Sequence, residues 1–499
     1  RTFSLICLGC PKNLVDAERM AGLLTEAGWK IVREPRGAAC VIVNTCGFLE
    51  DSRNEAIEHV RQILKYKRNG EVTWIVVTGC LAQRDATKFQ LPENVFSGFS
   101  GLYEHDDTEG LLTGTEDGVD AIVGVTAREQ IVTVLETLEE KRRAQIREME
   151  TGGDRETDSF TRERKRVFLG DYPCPINDDR RYRLTPQHVA YLKIAEGCAR
   201  RCAYCAIPQI RGPHVSKPVG QAVVEARELV ASGAREIVLI AQDLTFYGLD
   251  WTDESGRTQG PQLATLLREL VKIPDLAWLR LMYLYPMYVT DELIEVIASE
   301  PKVLPYLDIP LQHASDAILC RMNRVVNRTR TEDLLAKLRE RIPELVLRTT
   351  MMVGFPGETD DAFDELCEFV RRWRFERLGA FVFSPEPGTP AYELPVDERV
   401  PERVAMERKQ KLMKLQSEIA FEWNRRQIGR TVDVILDAPI RGERNTWIGR
   451  TAMDAPEVDG VVYVTGDGTP LEQGTITPCE IVSAQGYDLV AVPADGGGE

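Results

Sequence analysis

The sequence predicts an α/β protein with three folded parts. These are an N-terminal α/β domain on a parallel sheet (1–127), a central partial (β/α)6 barrel with a long helix (186–428), and a small all-β barrel (429–495). Three observations support this class. Apolar runs alternate with amphipathic segments in the first two parts, a mixed-charge connector (128–185) separates them, and short Val, Ile and Tyr strands with glycine turns fill the last. A chain of 499 residues is long enough for about three domains.

In the N-terminal part, a cysteine follows each of three apolar strands within one or two residues. The strands are predicted at 3–8, 40–44 and 73–78, and the cysteines are Cys10, Cys46 and Cys80. Parallel strands place their carboxyl ends on one edge of a sheet, so we expect the three thiols to converge. A glycine beside each cysteine favours close backbone approach to a bulky group. Ordinary core packing of the three cysteines is the alternative.

The connector is distinguished by its charge. Between Glu139 and Arg166, 17 of 28 residues are charged, with both signs mixed. We predict a solvated helix followed by a mobile linker over 128–185. The alternative is that its basic end, 162–166, contacts a partner.

Strand and helix patterns alternate again in the central part. Strands are predicted at 189–195, 235–241, 278–284, 304–309, 345–350 and 378–383. Six such units favour a partial (β/α)6 barrel, which carries functional groups at the carboxyl ends of its strands. Residues expected at those ends include Gln242, Asp243, Gln312, His313 and the segment 354–358.

Cys198, Cys202 and Cys205 follow the first barrel strand with the spacing C-x3-C-x2-C. Three thiolates this close can all reach one metal centre, but they are fewer than the four ligands of a closed zinc or four-iron site. One iron would therefore stay open to another ligand. The alternatives are a zinc site completed by Cys174 or His214, and a group of buried structural cysteines.

Composition and charge limit the cellular compartment and the kinds of partner that the sequence allows. No apolar run approaches the roughly 20 residues of a membrane span, so we expect no membrane partner. Twelve cysteines without a visible secretory signal favour thiols and metal over disulfides, and hence a cytoplasmic protein. The formal charge, 62 − 78 = −16, disfavours a phosphate-binding surface and is compatible with a basic protein partner.

The cysteine loop resembles the cluster loop of the radical S-adenosylmethionine (SAM) enzymes, and Tyr204 fills the aromatic position before its last cysteine. The resemblance implies a [4Fe-4S] cluster on Cys198, Cys202 and Cys205 whose open iron binds SAM. One electron then cleaves SAM to a 5′-deoxyadenosyl radical. The segment 351–358 resembles that family's adenine-side segment, so Gly354 and Gly357 are expected to contact SAM.

The N-terminal cysteine motifs resemble those of the methylthiotransferases. They read LGCPKN at 8–13, NTCG at 44–47 and TGCLAQR at 78–84. The resemblance implies a second, auxiliary [4Fe-4S] cluster on the three cysteines, thought to carry the sulfur that is transferred. No catalytic residue is assigned beyond the two sets of cluster cysteines.

Two methylthiotransferase branches compete: one modifies adenosine in transfer RNA, the other an aspartate of small-subunit ribosomal protein S-twelve. The stretches 190–197, 308–315, 384–390 and 450–460 resemble the second. The last part resembles the TRAM domain, which binds nucleic acid in RNA-modifying relatives. Here residues 427–495 carry 4 Lys plus Arg and 11 Asp plus Glu, a balance of 4 − 11 = −7. This charge makes a nucleic-acid substrate improbable and favours a basic protein.

The resemblance implies a reaction scheme. A SAM-derived radical removes hydrogen from the β-carbon of the substrate aspartate, which is too weak an acid for a general base. The auxiliary cluster provides sulfur, a second SAM provides the methyl group, and a flavodoxin-type protein donates electrons. A transfer-RNA methylthiotransferase and a zinc- or iron–sulfur-bound structural or electron-transfer protein are the competing hypotheses.

Overall fold

The structure, a computed structural model, describes residues 1–88, 118–151, 167–174, 176–466 and 470–494. The chain forms two compact units. The first contains Arg1–Leu184, Glu196–Ala199 and Ala206–Val215, and the second contains Thr185–Ala195, Arg200–Cys205 and Ser216–Glu499. Within the described ranges, no helix is both long and apolar enough to cross a membrane.

The first unit is a doubly covered parallel sheet with strand order β2-β1-β3-β4-β5-β6. The strands are β1 (Thr2–Cys7), β2 (Lys30–Ile31), β3 (Cys40–Thr45), β4 (Trp74–Gly79), β5 (Ala121–Gly124) and β6 (Val167–Phe168). The helices are α1 (Pro11–Glu26), α2 (Glu50–Arg68), α3 (Cys80–Lys88) and α4 (Ile131–Thr151). Alternate residues of β3 face opposite sides: Val41 packs in the α2 core and Ile42 in the α1 and α4 core. The parallel-sheet prediction is confirmed.

The structure agrees with the expected connector only in part: the predicted helix forms, but its first turns are buried rather than solvated, and the predicted linker over 152–166 lies outside the described residues. The described residues of the connector up to Leu184 belong to the first unit. Helix α4 buries Ile131, Val134, Leu135 and Leu138 against the sheet, and β6 pairs with β5. The apolar face of α4 therefore outweighs its high charge, and the described part of 128–185 is folded structure. The basic end, 162–166, lies outside the described residues.

Between residues 185 and 216 the chain passes from one unit to the other and back. The elements are β7 (Val189–Lys193), β8 (Ala195–Glu196), α5 (Ile207–Arg211) and β9 (Val215–Ser216). Strand β7 belongs to the second unit, and α5 to the first.

The main sheet of the second unit has six parallel strands in the order β14-β13-β12-β11-β10-β7, which confirms the partial (β/α)6 barrel. The further strands are β10 (Glu236–Ile240), β11 (Trp278–Leu281), β12 (Val303–Asp308), β13 (Val346–Val353) and β14 (Arg377–Val382). The helices are α6 (Val219–Ala231), α7 (Leu263–Leu270), α8 (Asp291–Ser299), α9 (Asp316–Arg321), α10 (Arg328–Arg341), α11 (Asp360–Trp373) and α12 (Glu402–Arg425). Side-chain oxygens of Thr290, Asn327 and Thr359 cap α8, α10 and α11.

The second unit ends in a closed five-stranded barrel with strand order β15-β16-β17-β19-β18, which confirms the predicted all-β barrel. Its strands are β15 (Thr431–Pro439), β16 (Thr446–Thr451), β17 (Val462–Thr465), β18 (Ile476–Gln485) and β19 (Asp488–Pro493). Alternate residues such as Val434 and Leu436 of β15 fill its interior.

A buried ion network joins this small barrel to the parallel sheet of the same unit. Glu236, the first residue of β10, accepts hydrogen bonds from Arg280 at 2.7 Å and from Arg450 at 2.8 Å. Arg450 also pairs with Asp437 at 2.8 Å. Both oxygens of Glu236 are used, so its buried charge is fully compensated. Burial alone would raise the pKa of Glu236, but Arg450 and Arg280 outweigh burial and hold it below its ordinary value.

Replacing Glu236 by Gln should therefore destabilise the second unit. The change leaves two buried guanidinium groups short of a partner, and we expect a loss of about 3–5 kcal/mol in the free energy of unfolding at neutral pH. Denaturant titration measures this loss. Because the pKa of Glu236 is lowered by folding, the difference between parent and variant should shrink as pH falls through that lowered pKa.

The matched control is Glu407→Gln on α12, where Glu407 pairs with Arg403 at 2.5 Å in solvent. We expect a change within about 0.5 kcal/mol there. Equal effects of the two substitutions would contradict a special role for the buried network.

Candidate functional site

Cys10, Cys46 and Cys80 lie at the carboxyl edge of the first unit's sheet. Strands β1, β3 and β4 are neighbours, and their ends carry the cysteines into one place. Cys46 Sγ lies 3.2 Å from the position that a Cβ on Gly9 would occupy, directly beside Cys10. Burial is the main cause that raises the pKa of Cys46 and Cys80, and a charge on Cys10 would raise both further, a second sign that the thiols are neighbours. The structure thus brings the predicted trio together.

Glycines allow the three loops to approach so closely. A Cβ on Gly79, whose φ is +98°, would stand 2.4 Å from the carbonyl oxygen of Thr45. A Cβ on Gly47 would stand 2.7 Å from Leu81 Cα. The glycines beside the cysteines are therefore required by the contact between loops, whatever group the thiols hold.

The donor set fits an iron–sulfur cluster. All three cysteines are free thiols, and thiolates are the ligands such clusters use. Cys46 and Cys80 are buried, whereas Cys10 is partly exposed. Among the described residues, no three His, Cys, Asp or Glu side chains surround a point suited to one metal ion. In a cluster each thiolate binds a different iron, so the ligands need not converge on one point.

Asn13 connects the loops that carry the cysteines. Its Nδ2 donates to the carbonyl oxygens of Leu8 and Thr45, both at 3.0 Å. Its Oδ1 accepts from the Cys80 thiol at 3.3 Å and from Arg211 at 2.6 Å. Asn13 is the last residue of the 8–13 motif, and that position is the signal in the sequence that indicates a role beside the cysteines.

Two arginines with almost no exposed surface lie beside this site. Arg211 bonds Asp16 and Glu196, each at 2.9 Å. Arg128 bonds Asp16 and, at 2.9 Å, Asp178. All five side chains are buried. Nothing in the local sequence around either arginine predicted its partners.

Cys174 packs in the same apolar cluster as Cys80, together with Val125, Ala206 and Ile210. Burial raises the pKa of Cys174 to about 12, and its sulfur lies 3.6 Å from the carbonyl oxygen of Arg211. It is therefore a neutral thiol close to the trio. The sequence offered Cys174 only as a possible fourth ligand of the alternative zinc site, whereas the structure packs it beside Cys80, which makes it a useful control.

The second set of cysteines is divided between the units. Cys198 belongs to the first unit, and Cys202 and Cys205 belong to the second. All three are partly exposed free thiols. Within the second unit, the N–H of Cys205 donates to the carbonyl oxygen of Cys202 at 3.1 Å.

Arg200, between these cysteines, is held by the second unit. Its guanidinium lies over the rings of Phe246, Tyr285 and Tyr288, with centroid distances of 5.0, 4.3 and 4.4 Å. It also bonds Asp243 at 2.7 Å, just beyond the end of β10. Cation–π contacts and an ion pair thus hold this part of the loop on the barrel. The sequence placed Asp243 at a strand end but did not reveal its partner.

Tyr204 packs against an apolar cluster of the second unit that contains Phe355 and Met322. Its hydroxyl accepts a long hydrogen bond from Arg324, at 3.4 Å. Phe355 belongs to the predicted adenine-side segment, so the cluster connects Tyr204 to that segment. The assignment of Tyr204 to SAM stays a prediction.

Gly354 and Gly357 have φ angles of +75° and +86°. A Cβ on Gly354 would stand 2.6 Å from the Cβ of Ala405 in α12, and one on Gly357 would stand 2.9 Å from Nε of Arg321. Backbone conformation and packing therefore account for both glycines without a ligand. Their contact with SAM also stays a prediction.

His313 lies beyond the carboxyl end of β12 and is 2% exposed. Its Nδ1 accepts the N–H of Ser315 at 3.0 Å, so Nε2 carries the proton. Nε2 has no hydrogen-bond partner among the described residues, and Glu358 lies 3.9 Å away. Burial, reinforced by the charge of Arg408, lowers the pKa of His313 to about 3. His313 is therefore a neutral donor beside the Gly354–Glu358 turn.

Comparison with known proteins identifies three family matches. Residues 2–98 match Uncharacterized protein family UPF0004, residues 192–370 match the Radical SAM superfamily, and residues 428–493 match the TRAM domain. The protein of Syntrophotalea carbinolica named ribosomal protein uS12 methylthiotransferase RimO is 40% identical over 99% of this chain and 97% of its own. The protein of the same name from Trichlorobacter lovleyi is 40% identical, over 98% and 97%.

Among solved structures, the radical SAM methyltransferase TsrM of Kitasatospora setae, with tryptophan substrate and a SAM analogue bound, is 13% identical. Its TM-score is 0.49, over 88% of this chain and 78% of that one.

We expect His313→Asn to weaken the pH dependence of stability in acid. His313 stays neutral in the fold down to about pH 3, while an unfolded histidine takes up a proton near pH 6.5. Folding stability due to His313 is therefore present above about pH 6.5 and lost as pH falls, by at most about 1.4 kcal/mol per pH unit. Denaturant unfolding between pH 7 and pH 4 measures the slope. An identical slope in the variant would show that His313 is not held neutral.

Proposed function

This chain belongs to the ribosomal protein uS12 methylthiotransferase family RimO, and from this premise we propose how its residues divide the reaction. It is a radical SAM enzyme that transfers a methylthio group to uS12, the S-twelve protein of the small subunit. Membership of the radical SAM superfamily implies SAM and a [4Fe-4S] cluster as cofactors. The finer assignments below are our proposal.

Cys198, Cys202 and Cys205 hold the radical SAM cluster. With SAM bound, this cluster supplies a 5′-deoxyadenosyl radical, which suits a target such as the β-carbon of an aspartate because that carbon is too weak an acid for a general base. Arg200, fixed by three rings and Asp243, keeps the loop in place. Tyr204 shields the loop on its apolar side. The role of these residues is to fix the loop and exclude water.

Cys10, Cys46 and Cys80 hold an auxiliary [4Fe-4S] cluster, which supplies the sulfur. The observation that carries this assignment is the meeting of three free thiols at the ends of three adjacent strands. Two of them are buried, so the chain itself excludes water on that side. Cys10 is partly exposed, so the site is open to solvent on the side of Cys10. A second SAM as methyl donor, a flavodoxin-type electron donor and a cytoplasmic location complete the proposal.

The charge of the small barrel supports a basic protein substrate, but less strongly than the sequence count suggests. Asp437, Asp454 and Asp459 are engaged internally with residues of the second unit. The acidic side chains exposed on the described part of the barrel are Asp433, Glu443, Glu457, Glu472 and Glu480. Three exposed arginines, at 430, 441 and 444, oppose these five, so the surface surplus is 3 − 5 = −2. The sign still disfavours RNA.

The decisive experiment complements a strain that lacks this gene and determines the intact mass of uS12. The parent gene should restore one methylthio increment. Cys198→Ala and Cys46→Ala should both leave uS12 unmodified, because each removes a ligand of one cluster. Cys174→Ala, which changes a buried cysteine next to the site, should restore the increment if it folds.

Purified variants distinguish the roles of the two clusters. Cys198→Ala should abolish SAM cleavage, whereas Cys46→Ala should still cleave SAM but transfer no sulfur. Transfer by Cys46→Ala would contradict the auxiliary cluster. Unmodified uS12 with the parent gene, together with a modified transfer RNA, would support the RNA branch instead.

Reversing the barrel's exposed charge should weaken binding of uS12. Asp433 and Glu480 are exposed on adjacent strands β15 and β18. We expect the Asp433→Lys, Glu480→Lys double variant to bind uS12 several-fold more weakly, with a smaller deficit at high salt because salt screens such charges. The Glu407→Lys, Glu418→Lys double variant on α12 adds the same positive charge at exposed positions and is the control. Equal affinity of parent and double variant would place the docking surface elsewhere.

A further inference from the structure

Arg211 is a buried cation beside the N-terminal cysteines, since it shares the acceptor Asn13 Oδ1 with the Cys80 thiol. It is the last residue of α5 and is 1% exposed. Its guanidinium donates to three acceptors: Asn13 Oδ1 at 2.6 Å, and Asp16 and Glu196 at 2.9 Å each. These bonds fix the position and orientation of its charge.

The same guanidinium faces the thiols. Asn13 Oδ1, which Arg211 contacts, is also the acceptor of the Cys80 thiol. Burial would lower the pKa of Arg211, but Cys80 when ionised, together with the carboxylates of Glu196 and Asp16, raises that pKa well above its ordinary value. Arg211 therefore carries its charge under all ordinary conditions.

Arg128 provides an internal comparison. It lies in the same network, shares Asp16 with Arg211 and is also fully buried. The groups that act on its charge are Asp178, Asp16, Glu196 and Glu129, with no cysteine among the largest. The two arginines thus share a structural role, but Arg211 alone of the pair faces the thiols.

We propose that Arg211 is a positioning residue that sets the reduction potential of the auxiliary cluster held by Cys10, Cys46 and Cys80. The inference rests on the proposed function, which assigns those ligands. Net charge and hydrogen bonds around a cluster determine its potential. Reduction adds a negative charge, which a fixed cation in a buried site stabilises. Arg211 therefore raises the potential and favours the reduced cluster.

The test uses the full chain with Cys198, Cys202 and Cys205 all changed to Ala, so that only the auxiliary cluster can form. After anaerobic reconstitution with iron and sulfide, a potentiometric titration followed by electron paramagnetic resonance gives the midpoint potential. In this background we expect Arg211→Gln to shift the midpoint to lower potential and Arg211→Lys, which keeps the charge, to shift it less. Asp16→Asn removes a negative charge and should shift it upwards.

Arg128→Gln is the matched control, since it damages the same network without removing the charge that faces the thiols. Its shift should be clearly smaller than that of Arg211→Gln. Equal shifts for the two arginine variants, or no shift for Arg211→Gln, would overturn the inference. If Arg211→Gln does not fold, the Arg211→Gln, Asp16→Asn double variant, which removes the cation together with one of its partners, is compared with Asp16→Asn alone: a lower midpoint in the double variant supports the inference, and an equal midpoint overturns it.

Failure of the proposed function gives a different result. The background variant with Arg211 intact would then bind no cluster at all, as judged by iron content and the absence of a signal on reduction. A cluster that forms normally but keeps its midpoint in Arg211→Gln would refute only the inference about Arg211.

Discussion

Buried charge is the constraint on which the first unit depends. Arg128 and Arg211 are almost completely removed from water, and each is compensated by carboxylates that are themselves buried. Such pairs gain little over apolar packing when complete but are costly when one partner is missing. Because the loss of any partner is costly, the side chains of the network keep fixed positions. The network lies directly behind the sheet edge where Cys10, Cys46 and Cys80 meet. Asn13 connects the network to the cysteine loops. It donates hydrogen bonds to two backbone carbonyl oxygens of these loops and accepts hydrogen bonds from the Cys80 thiol and from Arg211.

The sequence predicted the sheets because their signal is local. Apolar runs of strand length alternate with amphipathic helices, and the three strands that precede the N-terminal cysteines were placed to within a residue or two. Strands β2, β5 and β6 were missed, since two, four and two residues carry too little pattern. The helix of the connector was predicted, but its buried face was not, because charge dominates the composition of that segment. Its apolar positions at Ile131, Val134, Leu135 and Leu138 nevertheless follow helical spacing and are buried.

The candidate sites show the same division between local and long-range information. Topology alone was enough to predict that three cysteines, each after a strand, would meet at one edge. The polar partners could not be predicted in that way, because Arg211 and Asp16 are 195 residues apart in the chain. Arg200 was visible in the cysteine loop, but its three aromatic neighbours come from two later segments of the barrel. The predicted contact of Gly354 with SAM was ambiguous for a further reason. Close packing against Ala405 favours a glycine at this position whether or not a ligand binds there.

In the small barrel, a stretch that carries the family resemblance has a structural role and need not contact the substrate. The segment 450–460, one of the stretches that favoured the ribosomal-protein branch, contains Arg450, Asp454 and Asp459. Arg450 bonds Glu236, Asp454 bonds Arg377 at 2.7 Å, and Asp459 bonds Tyr306 at 2.5 Å. These residues attach the barrel to the sheet of the second unit, so their sequence pattern is explained by folding. A basic partner that docks on the barrel would then contact side chains that remain exposed after the attachment is made. Since only a small acidic surplus remains there, long-range attraction can assist encounter with a basic partner, but shape and direct contacts must provide most of the specificity.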